Sequence, residues 1–201
     1  MAHDTDTPSS HPVGGASPVH TILRGIVWIG QATAWLLMPI LALVLIGVIL
    51  SAAKVGIIAR WESDILLFGS KLTLASIGDL QWHLFGVMLM CAMAGAIVSD
   101  AHVRVDFIRQ NMSERQKDVI DVLGHVFFLL PMCAIIVYNG YDFTIRSFNM
   151  NEGSDYDGLY DRFILKVFIP FGFGLMFLAG AGLTVRTLLK LFNSKAGQTN
   201  D

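Results

Sequence analysis

Residues Gly25–Ala53 read GIVWIGQATAWLLMPILALVLIGVILSAA, 29 residues without one Asp, Glu, Lys or Arg. A bilayer core about 30 Å thick is crossed by about 20 apolar helical residues rising 1.5 Å each. Three more charge-free windows follow: Leu80–Ser99 (20 residues), Val122–Tyr141 (20) and Val167–Val185 (19). Inside lipid every backbone polar group must bond within its own segment, so continuous apolar runs of this length predict α-helices. Strands of a membrane barrel would instead alternate over about 10 residues. In the third window ten Val, Leu, Ile and Phe residues favour insertion by about 3 to 6 kcal/mol, opposed by His125, Pro131 and Asn139. The expected fold class is an all-α integral membrane protein with four transmembrane helices over 25–53, 80–99, 122–141 and 167–185.

The whole composition agrees with these windows. Of 201 residues 54% are hydrophobic and 15% charged, with a mean hydropathy of +0.58, whereas soluble domains carry roughly 25% charged residues. Lys and Arg number 14 against 16 Asp and Glu, a net charge of -2. No basic excess is left to neutralise a phosphate backbone, so nucleic acid is not an expected partner. Cys91 and Cys133 lie inside apolar runs, and the Cys/His spacings of metal sites are absent. The first window is longer than the 7 to 15 or so residues of a signal-peptide core and follows a polar stretch, so it reads as a retained span. Residues 1–20, rich in Ser, Pro, His and Thr, read as a disordered cytoplasmic tail. Residues 193–201 read as a second tail, with the membrane domain over 21–192.

Four spans place both termini on one side. That side, with the loop 100–121, holds 8 Lys and Arg; the loops 54–79 and 142–166 hold 6. The excess favours cytoplasmic termini. Trp61, Trp82, Tyr138, Tyr141, Tyr156 and Tyr160 gather at or beyond the other interface. Asp142, Glu152, Asp155, Asp157 and Asp161 crowd the final loop there, consistent with an outer side.

Two connecting segments are patterned. Ile58, Trp61, Ile65, Phe68 and Leu72 recur at steps of 3 and 4, which predicts an amphipathic helix over 57–75. Such a helix either lies flat among lipid headgroups or packs on the other spans or on a partner. In the second segment Asp100, His102, Arg104 and Asp106 alternate with apolar residues, the pattern of an extended piece with one charged face. Ser113 and Gln116 then fit a capping box, followed by Arg115, Asp118 and Asp121 at three-residue steps. Lys117 and Asp121 are spaced to pair. The third helix therefore begins outside the bilayer, or else these charges belong to a solvated turn closing a helical hairpin.

The spans lack the embedded carboxylates, cations or paired histidines with which pumps and carriers handle ions. They also lack the repeated, Gly/Pro-broken helices of a carrier site. Small residues four apart, Cys91 with Gly95 and Ala92 with Ala96, favour close helix packing, as do Gly172, Gly174, Gly180 and Gly182. His83 and His125 each lie three residues inside antiparallel spans, so about 20 Å separates them along the bilayer normal. Two axial ligands of one haem must meet at one iron. No catalytic residue, metal ligand or cofactor is expected.

The residues Leu80-Gln81-Trp82-His83-Leu84-Phe85, then His102-Val103-Arg104-Val105-Asp106, Ile120-Asp121-Val122-Leu123-Gly124 and Phe128-Leu129-Leu130-Pro131 are ordered and spaced as in a known family. With four spans and this length, the chain resembles the small membrane subunit, DctQ-like, of tripartite ATP-independent periplasmic (TRAP) transporters. The resemblance is densest over Asp79–Pro131 and extends through Val185. Asp79 stands where members often have Glu, and the long N-terminal tail carries no family signal. The resemblance implies a bacterial inner membrane and two protein partners. These are a large DctM-like membrane subunit, which moves substrate and sodium, and a periplasmic substrate-binding protein that captures an organic acid. The small subunit would hold the large one's fixed scaffold. On this reading Gln81 and Trp82 anchor the outer interface near a partner. His102, Arg104 and Asp106 form a cytoplasmic hairpin, with Arg104 paired to Asp106 or Asp121. Asp79, Arg115 and Asp121 complete the candidate interface residues, and lipid is the remaining partner. Two rivals differ in kind. A haem- or quinone-associated membrane anchor of a redox complex predicts a haem spectrum, and a self-sufficient channel or carrier predicts solute flux by this chain alone.

Overall fold

In the computed structural model, which describes residues 18–101, 111–154 and 156–196 (backbone alone over 193–196), the first apolar window belongs to two helices. Helix α1 is Pro18–Ala34 and α2 is Leu37–Ala52. Pro39 is the cause of the break. It has no N–H for the Trp35 carbonyl, which takes the Met38 N–H at 3.2 Å instead, as a proline near a helix start demands. Trp35 and Leu36 donate to Ala32 and Thr33, three residues back rather than four. Together α1 and α2 span 35 residues, about 50 Å if straight, so the pair outreaches the bilayer core.

The segment expected as an amphipathic helix over 57–75 is a β-hairpin. Strand β1, Ile57–Ile65, pairs antiparallel with β2, Gly69–Thr73, with Ile57 opposite Thr73, Arg60 opposite Lys71 and Ile65 opposite Gly69. The apolar steps of 3 and 4 are there, but the chain reverses between them. Leu67 at φ 71° and Gly69 at φ 59° adopt left-handed backbone that no right-handed helix can contain. The Trp61 indole N–H donates to the Gly69 carbonyl across the hairpin. β-Branched Ile57, Ile58 and Ile65 suit extended backbone.

Helix α3, Leu74–Val98, opens directly from β2. Thr73 caps it: its hydroxyl accepts the Ser76 N–H at 3.1 Å, and Ser76 Oγ accepts the Thr73 N–H at 3.3 Å. The span thus begins before the charge-free window at Leu80. Ser113 and Gln116 form the expected capping box of α4, Glu114–Gly124. A π-helical turn, His125–Leu129, joins α4 to α5, Leu130–Asn149. Pro131 follows that turn and cannot donate to the residue four back, so the ladder slips there to a five-residue step. Lys117 pairs with Glu114 at 2.8 Å, where pairing with Asp121 was expected. Helix α6 runs Phe163–Ala196, so residues 193–196 are helix where a tail was expected. Pro18–His20 likewise begin α1, and the rest of both expected tails lies outside the described residues.

Helices α3 and α6 form the central pair, with α1 and α2 against α3 and with α4 and α5 against α6. The buried core draws Ile26 from α1, Ala94 from α3, Cys133 from α5, and Met176 and Ala179 from α6. Small residues set the spacing. A β-carbon on Gly30 would lie 3.5 Å from Gly95 Cα, and one on Gly172 only 2.6 Å from the Met90 carbonyl oxygen. The Cys91/Gly95 notch read from the sequence is therefore the surface on which α1 rides. Outward faces stay apolar: Leu45, Ile49, Phe127, Phe128 and Ile135 are all exposed, as lipid-facing helices require. Among the described residues four helical stretches are long and apolar enough to cross a membrane, which is the expected fold class.

Candidate functional site

Helices α2 and α5 end, and α3 and α6 begin, at one end of the bundle, where the hairpin meets the loop 150–162. Asp79, in the second turn of α3, organises this end. Its Oδ2 accepts the Leu159 N–H at 3.1 Å and the Arg162 Nη2 at 3.5 Å. The Thr73 hydroxyl donates to the Asp157 carbonyl at 2.7 Å, and Ser76 Oγ to the Gly158 carbonyl at 3.3 Å. Leu159 is wholly buried. The start of α3 thus reads the loop backbone through three side chains.

The hairpin and α6 complete the clamp. Lys71 Nζ lies 2.8 Å from Asp157 Oδ2, and the Tyr160 N–H donates to the Leu67 carbonyl at 2.8 Å. Arg162 Nη2 donates to Ser154 Oγ at 3.5 Å, and the Arg162 N–H to the Glu152 carbonyl at 3.1 Å. Lys166 is bonded to the Glu152 carboxylate and stands 3.9 Å from the Phe143 ring centroid. The hydrogen bond from Lys166 holds the Glu152 carboxyl below its ordinary range. Hydrogen bonds to charged groups contribute about 1.5 to 3 kcal/mol each. Asp79 and Arg162 retain 25% and 32% side-chain exposure, which puts their pair at the lower end. In chemical terms this is a strut: Asp79 grips the chain's own backbone and a guanidinium, arranged to fix a loop.

The other expected residues fall in three places. Gln81 turns to α2, its Nε2 3.3 Å from where a β-carbon on Gly47 would stand. Trp82 is 72% exposed and stands edge-to-face with Phe85, with ring centroids 6.2 Å apart. Asp79, Gln81 and Trp82 therefore face the loop, the α2 seam and the outside, respectively. Arg115 and Asp121 lie on α4 at the opposite end, Arg115 exposed and Asp121 half-buried. There Lys190 of α6 meets Asp118 at 2.7 Å. His102, Arg104 and Asp106 lie outside the described residues. His83, weighed as a haem ligand, has its Nδ1 2.6 Å from the Asp79 carbonyl oxygen.

Sequence reasoning missed Thr73, Ser76, Gly158 and Arg162. The Thr73/Ser76 spacing was a visible capping signal. Leu159, one apolar residue in the polar run Glu152–Arg162, marked a buried anchor. The partner of Asp79 had no local signal.

With this geometry in view, the sequence matches, over residues 66–190, the family described as tripartite ATP-independent periplasmic transporters, DctQ component. No curated protein and no solved structure shows significant similarity to the chain.

Proposed function

The chain belongs to the DctQ component family of tripartite ATP-independent periplasmic transporters, and from that premise we propose that it braces the large membrane subunit during uptake of an organic acid. Its family is a transporter component and not an enzyme family, and four long apolar helices support a multi-pass inner-membrane protein. Its partners in this reading are the DctM-like subunit, which moves solute at the expense of an ion gradient, and a periplasmic binding protein.

One observation carries the bracing role: among the described residues, charge is confined to the two ends of the bundle. The ion pairs Asp79–Arg162, Glu152–Lys166 and Lys71–Asp157 sit at one end, and Lys117–Glu114 and Lys190–Asp118 at the other. Between them the core is Ile26, Ala94, Cys133, Met176 and Ala179, which offers no polar path to a solute or ion. Rigid clamps at each end and broad apolar faces suit a part that holds another in place. The excess of Lys and Arg on the side of the termini supports cytoplasmic tails, with the Asp79 clamp outermost. Gln81 and Trp82 then stand at the outer interface near a partner. Arg115, Asp121 and the segment with His102, Arg104 and Asp106 face the cytoplasm.

Liposome reconstitution tests this. The chain alone should accumulate no solute. Added to the large subunit, the binding protein, an organic acid and a sodium gradient, it should be required for uptake. Uphill accumulation by the isolated chain, or undiminished uptake without it, overturns the reading.

A further inference from the structure

At the end opposite the Asp79 clamp, α1, the last turn of α3 and α6 enclose a groove of about 590 Å³. Arg24 and Arg186 both line it, and no Asp or Glu is among its described lining residues. The two arginines are equivalent in position: Arg24 immediately precedes the first charge-free window and Arg186 immediately follows the fourth. Each therefore marks the water-facing edge of a span. The helices that carry them touch here. A β-carbon on Gly182 would stand 3.1 Å from Leu23 Cδ2 and 3.6 Å from Val19 Cγ1. Arg186 is one turn beyond Gly182, and Arg24 is next to Leu23.

Both guanidiniums are solvent-exposed, and neither has an ion-pair partner among the described residues. Two lysines at this end are neutralised, Lys117 by Glu114 at 2.8 Å and Lys190 by Asp118 at 2.7 Å. Two like charges beside one groove, with no acid among its described lining residues, attract an anion. The rest of the lining says which kind. Trp28 is one turn deeper than Arg24 on the same face of α1, and Val27 and Val98 lie beside it. The groove is cationic at the water edge and, Gln31 apart, apolar toward the bilayer, the polarity of a phospholipid. An interfacial Trp beside a cation suits the headgroup boundary.

We propose that the α1–α6 seam binds an anionic phospholipid, with its phosphate between Arg24 and Arg186 and its upper acyl chain along Val27, Trp28 and Val98. Inorganic phosphate shares the headgroup chemistry, but the apolar floor beneath the arginines favours the lipid. The inference rests on the chain crossing a membrane and not on its bracing role.

The test uses the full chain in mild detergent, titrated with phosphatidylglycerol or phosphatidylcholine and read by native mass spectrometry. Phosphatidylglycerol should bind in preference, more weakly as salt rises, and inorganic phosphate should not displace it. Arg24→Gln and Arg186→Gln should each weaken phosphatidylglycerol about fivefold and the double variant about twentyfold. Arg60→Gln, in the hairpin, should leave it unchanged. Equal binding of the two lipids by the wild-type chain overturns the proposal without reference to any variant. Wild-type affinity in the double variant, or displacement by inorganic phosphate, does so as well.

Discussion

Asp79 and Gly158 fit each other because residue 158 has no side chain: a β-carbon there would stand 2.1 Å from Asp79 Oδ2 and 2.6 Å from Ser154 Oγ. The carboxylate needs that space to reach the Leu159 N–H. Gly158→Ala should therefore push the loop off α3 even though alanine is the smallest possible addition. Loss of the Asp79 contacts should destabilise the chain by about 1 to 3 kcal/mol. Thermal unfolding in detergent measures it, and Asp79→Asn should fall within the same range. Wild-type unfolding for Gly158→Ala would refute the clamp.

The Glu152–Lys166 contact makes this end sensitive to acid. The Glu152 carboxyl is held below its ordinary range, first by the Lys166 hydrogen bond. A group depressed in the folded state contributes its stability above its unfolded pKa and loses it as pH falls through the folded one. The stability gap between wild type and Glu152→Gln should thus be constant from neutral pH down to the ordinary carboxylate range and shrink below it. Unfolding midpoints measured across that interval check the sign. A gap that widens in acid contradicts it.

Gly172 places α6 against the backbone of α3, with the Met90 carbonyl oxygen 2.6 Å from where a β-carbon would stand. Backbone cannot yield as a side-chain tip can. Gly172→Val should cost about 1 to 3 kcal/mol through overpacking, whereas Gly174→Val, with nothing within 4 Å of its β-carbon position, should cost much less. Comparative unfolding of the two variants separates close packing from a general intolerance of valine.

Trp82 is 72% exposed, so its truncation removes little of the chain's own packing. Trp82→Ala should leave unfolding of the isolated chain within about 0.5 kcal/mol of wild type. In the bracing role it should lower recovery of the large subunit by affinity purification. Unchanged recovery would take Trp82 out of the interface.

Arg104 lies outside the described residues, and its role rests on the charged alternation of His102, Arg104 and Asp106. Arg104→Ala should reduce assembly of the transporter. Wild-type uptake and subunit recovery would remove that role.

The membrane fold was legible because its cause is local in sequence. A run of about 20 residues without an ionised group is forced into a helix by the absence of water partners for its backbone. The capping box at Ser113 and the small notch at Cys91 and Gly95 are equally local, and both are found in the structure. Periodicity misled at Ile58–Leu72, because steps of 3 and 4 describe which residues are apolar and not whether the chain continues. Left-handed Leu67 and Gly69 turn it back, and the Tyr160 N–H holds the Leu67 carbonyl from the far loop.

From the sequence alone came the number of spans, their helical nature, the confinement of charge to their ends and the family likeness. All follow from hydropathy and from motifs within a few dozen residues. Only the tertiary structure decided that Asp79 closes on Gly158, Leu159 and Arg162, about 80 positions away, and that Arg24 and Arg186 share one groove. Those pairings depend on which helices lie side by side, and helix neighbours in lipid are chosen by small-residue fit rather than by hydropathy, so no run of residues read alone could carry them.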